Sequence, residues 1–146
     1  MFRILAPLIV VATGLTGCAQ EKQLYVSDAW VRLAAVDGRP AGGYFTLHGG
    51  PTDAVLVSVA TDVATRTELH ESRMSGAGMT MAAISEVPVA ALKEVRFAPG
   101  GKHAMLFNLN PAVKPGGSLT FTFTFADSTR IQQKARVIAA GDPAPK

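Results

Sequence analysis

The chain has 146 residues, a length typical of one domain, and 48% of its residues are hydrophobic, which is enough for an ordinary core. Its formal net charge is only +3, with no run of Lys and Arg and no basic face interleaved with aromatic residues, which argues against nucleic-acid binding. Cys18 is the single cysteine, so an internal disulfide and a CxxC redox motif are excluded.

The N-terminus is typical of a bacterial export signal. "MFR" is a short basic start, and "ILAPLIVVATGLTG" is an apolar run too short to span a membrane. The run ends in "LTGC", which resembles a lipobox, so we expect residues 1–17 to be removed and Cys18 to be lipidated. An ordinary cleaved signal with a coincidental cysteine is the alternative. A lipidated Cys18 leaves no thiolate for a metal or a nucleophile.

The rest of the chain is patterned as an all-β protein. Residues 18–23 are the lipidated cysteine and a short polar tether, residues 24–139 form the domain, and residues 140–146 are expected to be a mobile tail. Short runs rich in Val, Thr, Phe and Leu alternate with Gly, Pro and Asp turns, with no sustained helical period. The runs predict strands at residues 24–33, 43–48, 54–60, 66–71, 79–84, 94–97, 103–109, 119–126 and 132–138.

The clearest predicted strand contains "SLTFTFTF". One face has only apolar residues, namely Leu119, Phe121, Phe123 and Phe125, and the intervening threonines face the other way. This alternation predicts a half-buried strand whose phenylalanines contribute to the core. Strands spaced by roughly ten residues indicate a two-sheet antiparallel sandwich.

Methionine and histidine are concentrated together in two segments. Apart from Met1 the chain has four methionines; Met74, Met79 and Met81 follow His70, and Met105 lies two residues after His103. On a strand, His103 and Met105 would share a face, as would Met79 and Met81. "SRMSGAG" is read as a flexible link that brings Met81 back beside His70.

The ligand chemistry of these residues favours a soft metal ion. Thioether sulfur suits Cu(I) and is a poor ligand for Zn²⁺ or Mg²⁺, whereas a blue-copper site would need a cysteine thiolate. A single His or Met is more often structural. The joint clustering of both types is what points to a copper site.

Other candidate residues have simpler explanations. His48 has no methionine neighbour and is expected to be a surface turn residue. Trp30 and Arg32 are expected to be a core aromatic and a framework charge. Ser72 and Ser75 lie near His70 without a G-x-S-x-G frame or a similar one, so we do not expect an enzyme.

The spacing His70-x10-Met81-x21-His103-x-Met105 resembles the signature of the PCuAC family of periplasmic copper chaperones. The segments "DAWVR", "AGGYFTL", "ELHESRMSGAGMTM" and "FAPGGKHAMLFNL" also look like blocks of that family, in its order. The resemblance covers nearly the whole domain. It implies a cupredoxin-like or Ig-like Greek-key β-sandwich that holds one Cu(I) per chain.

The resemblance also implies the site residues and the function. The ligands would be His70, Met81, His103 and Met105, with Met74 and Met79 as a second shell or a loading surface. The protein would be a monomeric, lipid-anchored carrier on the periplasmic side of a bacterial membrane. It would deliver copper toward the binuclear copper centre of cytochrome c oxidase, to its copper subunit or to a Sco-like protein. A copper buffer that protects against copper stress and a metal-free Ig-like adhesion or assembly module are the alternatives.

Overall fold

A computed structural model describes residues 22–146 of the chain. The predicted signal peptide and Cys18 lie outside these residues. All regular structure in the described part is β-strand, in ten elements: β1 Tyr25–Arg32, β2 Ala41–His48, β3 Ala54–Ala60, β4 Ala64–Ser75, β5 Gly78–Ala83, β6 Val87–Val89, β7 Glu94–Phe97, β8 Lys102–Leu109, β9 Ser118–Phe125 and β10 Arg130–Ile138.

The strands form one continuous sheet in the order β5-β4-β8-β7-β2-β1-β10-β9-β3-β6, with a further pairing of β8 with β2. The sheet folds over so that Phe45 of β2 packs edge-on against Phe121 and Phe123 of β9. Two layers therefore enclose the core, as the sandwich prediction requires. Most pairings are antiparallel, but β1 pairs with β10 and β7 pairs with β8 in parallel.

The core is built largely by the alternating strand β9. Its four apolar side chains are each at most 5% exposed, whereas the threonines between them are not buried. Phe45 stacks on Phe97 with 4.3 Å between ring centroids, and this pair closes the core on the side of β2 and β7. The predicted half-buried strand is therefore confirmed.

The segment "SRMSGAG" is not a flexible link, and that part of the prediction was wrong. Residues up to Ser75 continue β4, and a tight turn leads directly into β5, so that Met74 pairs with Met79 in a hairpin. Gly78 has a φ of +110°, a conformation that favours glycine, and the Ser75 hydroxyl donates to its carbonyl oxygen. Ser75 and Gly78 therefore stabilise a tight hairpin turn.

The last residues of the chain contact the domain. Asp142 accepts a bond from the Ala139 amide through its carboxylate and another from Arg32 through its backbone carbonyl. The carboxyl-terminal segment therefore lies beside the end of β1. Among residues 22–146 there is no helix of the length and hydropathy needed to cross a bilayer.

Candidate metal centre

Strands β4 and β8 bring the two histidines of the motif together. They pair in antiparallel register, with His70 directly opposite His103, and the ring centroids are 6.0 Å apart. Directly opposed residues in an antiparallel pair point to the same face, so both imidazoles lie on one side of the sheet. His103 is 6% exposed, and the His70 side chain is 16% exposed.

Each imidazole has one ring nitrogen engaged and one without a partner. His103 Nδ1 lies 3.0 Å from the Gly101 carbonyl oxygen and must carry the proton, since a carbonyl only accepts. His70 Nε2 likewise donates to Glu68 Oε2 at 2.9 Å. The remaining atoms, His103 Nε2 and His70 Nδ1, are buried and have no hydrogen-bond partner. Buried polar atoms are normally satisfied, so two such lone pairs on one face are suited to binding a metal ion.

The Glu68 carboxylate, which accepts the hydrogen bond from His70, is held in its charged form. Its hydrogen bond with His70 and the charge of Arg66, whose Nε lies 2.7 Å from Glu68 Oε1, keep the pKa of Glu68 below its usual range despite some desolvation. A carboxylate that accepts a proton from an imidazole fixes the tautomer and the orientation of the ring. Glu68 is therefore a positioning residue for His70.

The two other motif residues flank His70 diagonally on the same face. Met105 of β8 is opposite Glu68 of β4, and Met81 of β5 is opposite Ser72 of β4. Diagonal neighbours of this kind have Cα atoms about 7–8 Å apart, a distance that a methionine side chain spans. His70 thus lies directly across from His103 and diagonal to both methionines.

The three methionines of the β4–β5 hairpin are unusually exposed. Met74 is 75% exposed, Met79 is 56% exposed and Met81 is 59% exposed. The register places all three on the face of the histidines, with Met74 and Met79 at the tip. These thioethers extend from the two imidazoles to the end of the hairpin, as the same-face pairing of Met79 and Met81 predicts.

His48 is more constrained than the sequence suggests. It ends β2 and stacks flat on Tyr25 at 4.1 Å, while its ring nitrogens contact Glu94 Oε1 at 3.1 Å and the Ser27 hydroxyl at 2.8 Å. Both nitrogens are therefore engaged, in contrast to those of His70 and His103. His48 therefore has no ring nitrogen available to bind a metal ion, and it can be compared with His70 and His103.

The donor set also fits a soft ion better than a hard one. Within the part of the chain that the structure describes, no group of three or more His, Cys, Asp and Glu side chains is arranged to hold a metal ion. Two imidazoles alone would make an incomplete site, and the register places the thioethers of Met81 and Met105 on the same face as further neutral donors. Thioethers select Cu(I) over Zn²⁺ or Mg²⁺.

Tyr44 is a further residue near the site, and the sequence pattern did not indicate it. Tyr44 places its hydroxyl over Gly42, 2.8 Å from where a Cβ would lie, and Gly42 is the register partner of Met105. Burial raises the pKa of Tyr44, against the opposing effect of the Arg32 charge. The Tyr44 ring packs against Trp30 at 4.3 Å, and Trp30 is buried as expected, directly opposite Tyr44 on the same face of the sheet. Only the strand register brings these aromatic residues near the site.

Comparison with known proteins gives a family and a fold. A family model named LpqE-like, described as an LpqE-like lipoprotein, matches residues 24–137. No curated protein matches the chain in sequence at a significant level.

Solved structures of PCuAC domains are similar to this chain over most of its length. The copper-bound PCuAC domain from PmoF2 is 19% identical, with 82% of this chain and 95% of that one covered and a TM-score of 0.67. The apo PCuAC domain from PmoF1 is 22% identical, with 82% and 96% covered and a TM-score of 0.65. The solution structure of Cu(I)-DR1885 from Deinococcus radiodurans is 27% identical, with 82% and 81% covered and a TM-score of 0.63.

These matches confirm the resemblance to PCuAC proteins that the sequence indicated. They also confirm the all-β cupredoxin-like or Ig-like fold, which the ten strands of the described residues display.

Proposed function

Because the chain belongs to the LpqE-like family and has the fold of PCuAC domains, we propose that it is a copper carrier that binds one Cu(I). The observation that carries the proposal is the pair of opposed imidazoles, each with a buried, unpartnered nitrogen, on a sheet face that also has the thioethers. The proposed ligands are His70, Met81, His103 and Met105. All four are neutral when they bind, so the ion keeps its full charge and remains attractive to an anionic acceptor.

The difference in exposure between the ligands favours transfer over storage. His103 is nearly buried, whereas Met81 is 59% exposed. An incoming ligand approaching from solvent would therefore replace the Met81 thioether first, while the histidines still hold the ion. Transfer by such ligand exchange never releases free copper.

We further propose that the protein works on the periplasmic side of a bacterial membrane, attached through a lipid on Cys18. The "LTGC" segment and the lipoprotein description of the family support this location. The proposed recipient is the copper subunit of cytochrome c oxidase or a Sco-like protein. The role is that of a carrier rather than an enzyme.

Anaerobic titration of the purified protein with Cu(I), in competition with a chromogenic chelator, tests the binding step. We expect one equivalent to bind. Delivery is tested by deleting the gene in copper-limited cells: loss of oxidase activity that added copper restores supports delivery. Copper sensitivity with normal oxidase activity would identify a buffer instead, and an unchanged phenotype with no copper bound would favour a metal-free adhesion or assembly module.

Replacing Glu68 by glutamine is expected to weaken Cu(I) binding about tenfold. Glutamine keeps the shape of the side chain but loses the charge that orients His70 Nε2, and loss of such outer partners typically lowers metal affinity 10–100-fold. The chelator competition measures the effect. Glu94→Gln is the matched control, since Glu94 contacts His48 in the same manner and should leave copper affinity unchanged.

Replacing Met74 and Met79 together by leucine is expected to slow copper transfer several-fold without changing equilibrium affinity. Leucine preserves the apolar bulk but removes the exposed thioethers at the tip of the hairpin, which we propose as a loading surface. Stopped-flow transfer to a chelator measures the rate. Met81→Leu, which removes the sulfur of a proposed ligand, is the comparison; if the double variant loses as much affinity as Met81→Leu, Met74 and Met79 are ligands and not a loading surface.

A further inference from the structure

A second feature of the outer sheet face is a cavity of about 800 Å³ that runs across β7, β2, β1 and β10. Thr46, which is 5% exposed, and Trp30, which is 8% exposed, form part of its floor. Register pairs Thr46 with Arg96 on one side, and Trp30 with Arg136 on the other. We call this recess the basic cavity because Arg and Lys side chains line it.

The lining is strongly cationic. Arg96, Lys134, Arg136 and Lys146 surround the basic cavity, and Asp28 is the one carboxylate among its lining side chains. All four cations are exposed. Arg96 approaches Glu94 only at 4.0 Å, and the other three take part in no ion pair within the described residues. Such a concentration of charge of one sign in a concave surface attracts anionic groups.

The basic cavity and the proposed copper site lie on the same face. Trp30 lines the cavity and packs against Tyr44, whose hydroxyl lies over Gly42, the partner of Met105. Met105 on β8 is level with Arg32 of β1, two strand spacings or roughly 10 Å away, and Trp30 lies two residues further along β1. One partner protein of ordinary size would cover both features.

We propose that the basic cavity binds an acidic segment, rich in Asp and Glu, of the protein that receives copper. This inference rests on the proposed carrier function, because it assumes that a recipient docks on this face. A Cu(I) site with neutral ligands presents a single positive charge, whereas the four cations of the basic cavity provide a larger charge to orient an acidic partner. The recess is far larger than a single inorganic anion and has apolar as well as basic walls, which suits a peptide segment.

The test compares two double variants of equal charge. Lys134→Glu with Arg136→Glu reverses two charges of the basic cavity, and Arg39→Glu with Arg130→Glu reverses two exposed charges outside its lining. The probe is a short synthetic peptide of alternating glutamate and leucine, with a glutamine–leucine peptide as its neutral counterpart. Binding is measured by fluorescence anisotropy with the full protein. Lys134→Gln with Arg136→Gln removes the same two charges more mildly and guards against misfolding, and thermal unfolding verifies the fold of each variant.

We expect the acidic peptide to bind the wild-type protein and the control variant equally, and at least tenfold more weakly to the cavity variant, with the difference reduced at high salt. The neutral peptide should not bind. Equal binding by both variants, or no binding by the wild type, overturns the proposal. Selective binding to vesicles of phosphatidylglycerol instead of the peptide would assign the cavity to a lipid surface, and salt-dependent self-association would assign it to a second copy; both outcomes overturn it.

Cu(I) titration of the same variants separates this inference from the proposed function. Unchanged Cu(I) affinity in the cavity variant, with peptide binding lost, supports both. If the protein binds no copper, the carrier proposal fails whatever the peptide does. If copper binds normally and the peptide does not, only the docking proposal fails.

Discussion

Replacing His103 by alanine is expected to lower the affinity for Cu(I) at least about 100-fold. Loss of an outer partner of a ligand already costs 10–100-fold, and loss of the ligand itself should cost at least the upper end of that range. His103 Nε2 is buried and has no hydrogen-bond partner, so the variant removes the nitrogen that we propose as a ligand. Anaerobic competition with a chelator measures the affinity.

His48→Ala is the matched control for this variant. His48 lies on the same face of the sheet, but Glu94 and Ser27 occupy its two nitrogens, and we expect its loss to leave copper affinity unchanged. Met105→Leu complements the test because it removes only the sulfur and nearly conserves volume. Copper affinity that is unchanged in both His103→Ala and Met105→Leu would refute the proposed site.

Replacing Phe123 by alanine is expected to destabilise the fold by about 3–5 kcal/mol, the usual cost of removing a buried aromatic ring. Phe123 is fully buried and packs edge-on against Phe45 at 4.7 Å and Phe121 at 5.9 Å between ring centroids. The loss is a large part of the 5–15 kcal/mol by which domains are normally stable. Urea unfolding followed by tryptophan fluorescence gives the free energy.

Thr120→Ala provides the comparison on the same strand. Thr120 is exposed on the opposite face of β9, and its loss should change the free energy of unfolding by no more than about 0.5 kcal/mol. If Phe123→Ala costs less than about 1 kcal/mol, the ring does not contribute to a packed core. The two layers would then be held together elsewhere.

The alternation of apolar residues accounts for what the sequence could predict of the fold. In β9 every second residue is apolar, and such a pattern has one reading as a half-buried strand. β3 and β7 were predicted with the bounds that the structure has. The parallel pairings of β1 with β10 and of β7 with β8 were not predicted, because the order of strands in a sheet depends on long-range contacts that a local pattern does not encode.

Two errors of the strand prediction have local causes. β6 was missed because Pro88 interrupts a run of only three residues; a proline is tolerated there since β6 is the last strand of the sheet. The hairpin between β4 and β5 was missed because serine and glycine are typical of both loops and tight turns.

The four proposed ligands come from the resemblance to PCuAC proteins, and their role as ligands stays a prediction. The residues that position them could not be predicted from the sequence. The positioning roles of Glu68 and of the Gly101 carbonyl depend on side-chain and backbone geometry, which spacing alone does not give. The same holds for Tyr44, whose place beside Met105 follows from the pairing of β2 with β8.

The position of β5 at the margin of the sheet has a consequence for how the metal would leave. β8 is clamped between β4 and the pair β2 and β7, whereas β5 has β4 as its one neighbour in the described residues, and all six of its residues are exposed. Two-stranded ribbons of this kind open locally, and the free-energy cost of this opening is a small fraction of the free energy of global unfolding. The proposed bond between the Met81 sulfur and Cu(I) would therefore open and close repeatedly, while the imidazoles stay rigid. Amide hydrogen exchange should accordingly be fast along β5 and slow along β8.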